Sequence, residues 1–197
     1  MTSKSGNLLV RTFIFTILAL IAFAANSVLC RLALGGQNID ASGFTIVRLL
    51  SGIIVLLAIL KFGRTRKAVL SRGSWTAGLM LFVYAITFSY AYITLDTGTG
   101  ALILFGAVQI TIILLSIISG NRLHLSEWLG VLIAVTGFIY LILPGVTSPS
   151  FTGFILMTVA GIAWGIYTLR GRGSVNPLMD TAYNFLRTAP LIIMLVI

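Results

Sequence analysis

Seven apolar runs, each about 20 residues long and separated by short polar breaks, limit what this 197-residue chain can become. A helix rises about 1.5 Å per residue, so a run of about 20 residues crosses the roughly 30 Å of hydrocarbon in a bilayer. The runs extend approximately from Phe13 to Leu34, Ala41 to Leu60, Trp75 to Leu95, Gly100 to Ile118, Trp128 to Leu143, Phe151 to Leu169 and Leu178 to Ile197. Turn and cap residues separate them: Gly35 and Gly36 with Asp40 as an N-cap, the stretch Thr97 to Gly100, Ser119 to Asn121, Pro144 to Ser150, and Asn176-Pro177. No gap is long enough for a soluble domain. With 58% apolar and 9% charged residues, the expected fold is all-α, a polytopic membrane helical bundle of about seven transmembrane helices.

A formal net charge of +9 raises the question of a nucleic-acid partner, which the placement of the basic residues answers. Lys4 and Arg11 precede the first run; Lys61, Arg64, Arg66, Lys67 and Arg72 follow the second; Arg122 follows the fourth; Arg170 and Arg172 follow the sixth. Ten of the thirteen basic residues thus fall on one side of the alternating spans. Basic residues in short loops resist translocation, so that side is cytoplasmic and the N-terminus is inside a plasma (inner) membrane. The connections around Gln37, Asp96 and Thr147 are nearly uncharged and face outward. No nucleic-acid interface is expected; the partners are the lipid bilayer and a small-molecule substrate, and a homo-oligomer is left open. Lys4 and Arg11 before an apolar core ending at Ala22-Phe23-Ala24 also fit a cleaved secretory signal, a reading that would remove the first span.

Arg48 sits inside the second apolar run. About eight residues from a helix start at Asp40 places it roughly 12 Å deep, where an unpaired arginine costs about 2.5 to 3.5 kcal/mol on insertion scales. It is expected to face protein or water, with Thr45 and Ser51 three residues away on the same helix; snorkelling to the headgroups is the alternative. A shift of 139 positions lays Phe44-Thr45-Ile46-Val47-Arg48 over Tyr183-Asn184-Phe185-Leu186-Arg187. The first pentapeptide follows a span that leaves the cytoplasm and the second follows one that enters from outside. That arrangement is an inverted repeat, a five-helix unit over residues 1–145 that begins again, incompletely, at 151–197. Inverted repeats belong to secondary transporters, in which two pseudo-symmetric halves expose one midplane site to each side in turn. Two roles are open to Arg187, a match to Arg48 in that site or a tie between helices; Pro177 as a first helical residue and Pro190 as a kink frame it.

The stretch GTGALILFGAVQITIILLSIISGNRLHLSEWLGVLIAVTGFIYLILPG, residues 98–145, resembles the end of the five-helix repeat of EamA-type transporters in the drug/metabolite transporter superfamily. The matching features are the small-residue start, a long apolar helix, the turn formed by Gly120, Arg122 and Leu123, and then Trp128, Gly130 and Gly137. The Arg48 helix looks like the family's as well. Two positions depart from the pattern: Asn121 stands where a glutamate is common, and Val108 or Gln109 where a proline is common. The resemblance implies ten helices in two repeats. With five plus two, the chain is expected to be a truncated product that transports poorly or not at all alone.

The other singular residues qualify this picture. Asn26 and Gln109 are amides within spans, expected to be buried and to bond between helices or touch substrate. Tyr84, Phe88 and Tyr92 recur every four positions, a stripe suited to packing or to a cavity wall. Gly161 and Gly165 permit close helix approach, and Trp164 between them is the pocket candidate that the resemblance suggests. Asn26, Arg48, Tyr84, Gln109, Trp164 and Arg187 are therefore the candidate substrate-binding residues. No catalytic site, metal site or cofactor is expected: His124 and Cys30 are each the sole residue of their type, and Asp40, Asp96, Glu127 and Asp180 all fall near span ends. The expected function is export of small metabolites such as amino acids by alternating access. The alternative is a seven-helix receptor or membrane scaffold; a retinal-type receptor is disfavoured because Lys67 is the last lysine.

Overall fold

A computed structural model describes residues 2–36, 39–63, 72–120, 124–125, 128–133, 136 and 150–196. Seven helices are present among the described residues: α1 (Thr2–Gly35), α2 (Ala41–Phe62), α3 (Trp75–Ala91), α4 (Thr97–Ile118), α5 (Phe151–Arg170), α6 (Pro177–Leu186) and α7 (Ala189–Val196). The fifth expected span, Trp128 to Leu143, lies mostly outside the described residues, as do Arg64, Arg66, Lys67 and the turn at Arg122 and Leu123. Four of the described helices are long and apolar enough to cross a membrane; α3 is equally apolar but shorter.

Helix starts follow the cap chemistry of the sequence. Asp40 accepts from the Gly43 amide at 3.0 Å, Ser74 from Ala77 at 3.1 Å and Ser150 from Gly153 at 3.1 Å. Asn176 caps α6, and Pro177 occupies its first turn, where a missing N–H costs nothing. One expected element is corrected. The run from Leu178 to Ile197 is not a single span but α6 and α7, parted at Arg187 and Thr188. Pro190 has no amide to donate back to Leu186, and its ring crowds that carbonyl, so the helix stops short of it.

Contacts at the helix ends fix the direction of each element. At one end Arg31 donates to the Tyr92 and Ile93 carbonyls at 2.8 and 3.0 Å and stands 3.8 Å from Asp96, Ser42 bonds Tyr90, and Ser150 donates to Thr94. This end gathers the C-termini of α1 and α3 with the N-termini of α2, α4 and α5. At the other end the Gly73 amide donates to Asp180 at 2.8 Å and the Ser74 amide to Asn184 at 2.9 Å, joining the start of α3 to α6. Lys61, Arg72, Arg170 and Arg172 lie at or beyond helix ends on this second, basic side. As a result α1 and α5 run in opposite senses, and so do α2 and α6.

The core lies where α5 packs between α3 and α4. Gly161 and Gly165 make the α4 contact close: a Cβ on Gly161 would stand 2.5 Å from Ala107 Cβ and 2.7 Å from the Leu104 carbonyl, and one on Gly165 would stand 3.0 Å from Thr111. With lipid as solvent, such contact between small residues supplies dispersion energy that larger side chains would prevent. Between α2 and α3, Thr45 donates to Ser89 Oγ at 2.8 Å, and Ser89 donates on to the Ala85 carbonyl. Large apolar side chains cover the outside, including Phe13, Leu20, Leu32, Ile54 and Leu114, a surface suited to hydrocarbon.

Candidate functional site

A cavity of about 580 Å³ opens between α1, α2 and α3 on one side and α5 and α6 on the other. Its polar floor is Arg48, held because α2 turns that face inward between buried Thr45 and Leu49. The guanidinium donates through Nη2 to Tyr84 Oη at 3.1 Å. Its Cζ lies 5.1 Å from the Tyr84 ring centroid and 5.0 Å from that of Phe88, within cation–π range. Nη1 is buried and has no hydrogen-bond partner among the described residues. Asn26, on α1, donates to the same tyrosine oxygen at 3.3 Å.

Aromatic side chains make the cavity wall. Trp164 lies 4.7 Å from Tyr84 and stacks on Tyr167 at 5.2 Å, and Phe23 meets the indole edge-on at 6.0 Å. No carboxylate is among the described lining residues, and the ion pair of Arg31 with Asp96 lies away from the cavity, at the end where α1 and α3 finish. Among the described residues the Arg48 cation is thus met by the Tyr84 hydroxyl and by the Tyr84 and Phe88 rings. Lone charges in such settings are expensive, and their persistence marks function more often than architecture.

Of the residues expected at the site, Asn26, Arg48, Tyr84 and Trp164 come together here. Gln109 does not: it is exposed on α4, whose packing face runs through Gly100, Leu104, Val108 and Thr111, so the expectation of a buried amide is corrected. Arg187 also lies outside the cavity lining. It donates to the Arg72 carbonyl and to Tyr183 at 3.2 Å, with Cζ 5.6 Å from the Trp75 ring, and so fastens the α6–α7 break to the start of α3. Asn184 accepts from the Ser74 amide, and Thr188 donates to the Phe185 carbonyl. Phe88 and Tyr92, with no exposed surface, are packing members of the stripe; only Tyr84 reaches the cavity. Tyr167, Thr181 and Phe185 line it without having been singled out. The spacing of Trp164 and Tyr167, one helical turn apart, was the available signal for the first of these.

Helices of spanning length around a partly polar, aromatic-walled cavity define a polytopic membrane protein. Residues 10–143 match the EamA-like transporter family, and the chain belongs to it. It is also 51% identical over 177 residues to an uncharacterized protein of Pseudomonas aeruginosa, which covers 90% of this chain. The chain spans 61% of the length of that relative. No solved structure matches the chain significantly. Family membership and helices of spanning length make this an integral multi-pass membrane protein.

Proposed function

We propose that the chain carries the substrate path of a secondary transporter that exports small metabolites such as amino acids from the cytoplasm by alternating access. The observation that carries this reading is the position of the Arg48 cavity. It is bounded by α1, α2 and α3 of the first five-helix unit and by α5 and α6, which start the second. The counterpart helices α1 and α5, and α2 and α6, run in opposite senses, as an inverted repeat requires. A site bounded by both units is exposed to one side or the other as they rock. The excess of basic residues beyond α2 and α5 supports a cytoplasmic N-terminus in an inner membrane. The greater length of the Pseudomonas relative supports a complete transporter with more helices than these.

Efflux from cells expressing the protein as its native gene encodes it tests the reading. Arg48→Ala should reduce saturable efflux of amino-acid analogues at least about tenfold, the loss expected when a charged hydrogen-bonding group is removed, while Arg11→Ala leaves it near wild type. Equal flux in the two variants removes Arg48 from the mechanism.

A further inference from the structure

We propose that the cavity selects a small monocarboxylate with an apolar or aromatic body, and prefers it to the zwitterionic amino acid of the same shape. This deepens the transport reading above by naming the ligand chemistry of the same cavity. The argument begins with charge. Arg48 brings one positive charge to the lining, and no carboxylate among the described residues lines the cavity with it. A monoanion completes the pair, whereas a zwitterion adds an ammonium for which the lining offers no acid.

Hydrogen-bond accounting places the carboxylate. Tyr84 Oη accepts from both Arg48 Nη2 and Asn26 Nδ2, so its two acceptor positions are engaged and its own proton is left to donate. Arg48 Nη1 donates to nothing among the described residues and is shielded against the Tyr84 and Phe88 rings. One carboxylate oxygen accepts from the Tyr84 hydroxyl; the other draws the guanidinium fork out of the ring packing and accepts from Nη1. Charge-assisted, two-point contact of this kind is what a planar guanidinium recognises best. The body of the ligand then lies along Trp164, Tyr167 and Phe185, with Leu49, Val55 and Leu81 behind it. At about 580 Å³ the cavity falls within the roughly 300–1,000 Å³ of small-molecule sites.

Binding to the complete, natively encoded protein in lipid nanodiscs, followed by isothermal calorimetry, tests this with three probes of one shape: phenylacetate, phenylacetamide and phenylalanine. Phenylacetate should bind at least about tenfold more tightly than phenylacetamide and more tightly than phenylalanine. Arg48→Gln should abolish the preference for acid over amide, with an unchanged thermal melting midpoint showing that the variant is folded. Tyr84→Phe should weaken phenylacetate more than phenylacetamide. Equal affinity of wild type for acid and amide overturns the proposal without any variant, as does a preference that survives Arg48→Gln. Flux separates this from the transport reading: saturable amino-acid efflux with no acid preference leaves the transporter and sinks the carboxylate clamp. Tight, Arg48-dependent phenylacetate binding upholds the clamp even where no flux is seen.

Discussion

Arg48 and Tyr84 meet twice: Nη2 donates to the phenol oxygen at 3.1 Å, and the guanidinium carbon stands 5.1 Å from the centroid of the same ring. One tyrosine thus supplies both a hydrogen-bond acceptor and a π face to a cation that has no carboxylate partner among the described residues. Tyr84→Phe keeps the face and removes the acceptor. The Arg48 and Asn26 donors that it leaves unsatisfied should cost about 1 to 3 kcal/mol of stability, and efflux should fall with it. Tyr92→Phe is the contrast, because the Tyr92 hydroxyl donates to the Thr97 carbonyl, at 3.3 Å, and does not line the cavity. Thermal melting and efflux measured on both variants check this: Tyr92→Phe should leave efflux unchanged.

The seam between α4 and α5 makes a sharper steric prediction. A methyl on Gly161 meets both the Ala107 side chain and the Leu104 carbonyl, neither of which moves without shifting a helix. Gly161→Ala should therefore destabilise the protein by about 1 to 3 kcal/mol, the usual range for overpacking. Gly98→Ala, where a Cβ meets nothing within 4 Å, should be neutral or slightly stabilising. Unfolding in graded detergent denaturant compares the two, and similar midpoints would contradict the packing described.

The sequence disclosed what length, capping and charge decide, and concealed what needs a neighbour. Apolar runs marked the spans because hydrocarbon thickness sets their length, and Asp40 and Pro177 marked helix starts because capping is local. Arg48 turned inward as the cost of an unpaired cation in lipid demands. Gln109 misled because α4 is apolar all round, so nothing in its pattern separates a lipid face from a protein face. The last run read as one kinked span because the pattern marks a bend at Pro190 but not whether the helix is broken there. Arg48 and Arg187 match in sequence yet part in space: α6 ends at Arg187, whose side chain turns back to Arg72 and Tyr183. Tyr167, Thr181 and Phe185 became visible as lining only once α5 and α6 were set against α2 and α3.

The basic end of the bundle is held by amides at the start of α3. Gly73, at φ 58, presents its N–H to Asp180, and Ser74 presents its own to buried Asn184. Asn184→Ala removes one acceptor and leaves a shielded donor, so a loss of about 1 to 3 kcal/mol is expected. Because these bonds join α3 to α6, the loss should also open this end to reagents. A cysteine at Ser74 in a Cys30→Ala background should react faster with a maleimide when Asn184 is replaced. Unchanged stability and unchanged labelling would show that the junction is held by other contacts.

The opposed directions of α1 and α5 carry the most general prediction. Gly35 ends α1 at the end where Arg31 meets Asp96, and Arg172 follows α5 at the basic end. If α1 leaves the cytoplasm, then α5 must return to it, and the two positions lie on opposite membrane faces. With Cys30 replaced by alanine, single cysteines at Gly35 and Arg172 report this directly. A membrane-impermeant maleimide added to intact cells should label the cysteine at 35 and spare the one at 172 until the membrane is opened. Labelling of both from the same side would dissolve the inverted relation between the two units. The cavity would then lose its claim to lie between rocking halves, whatever ligand Arg48 holds.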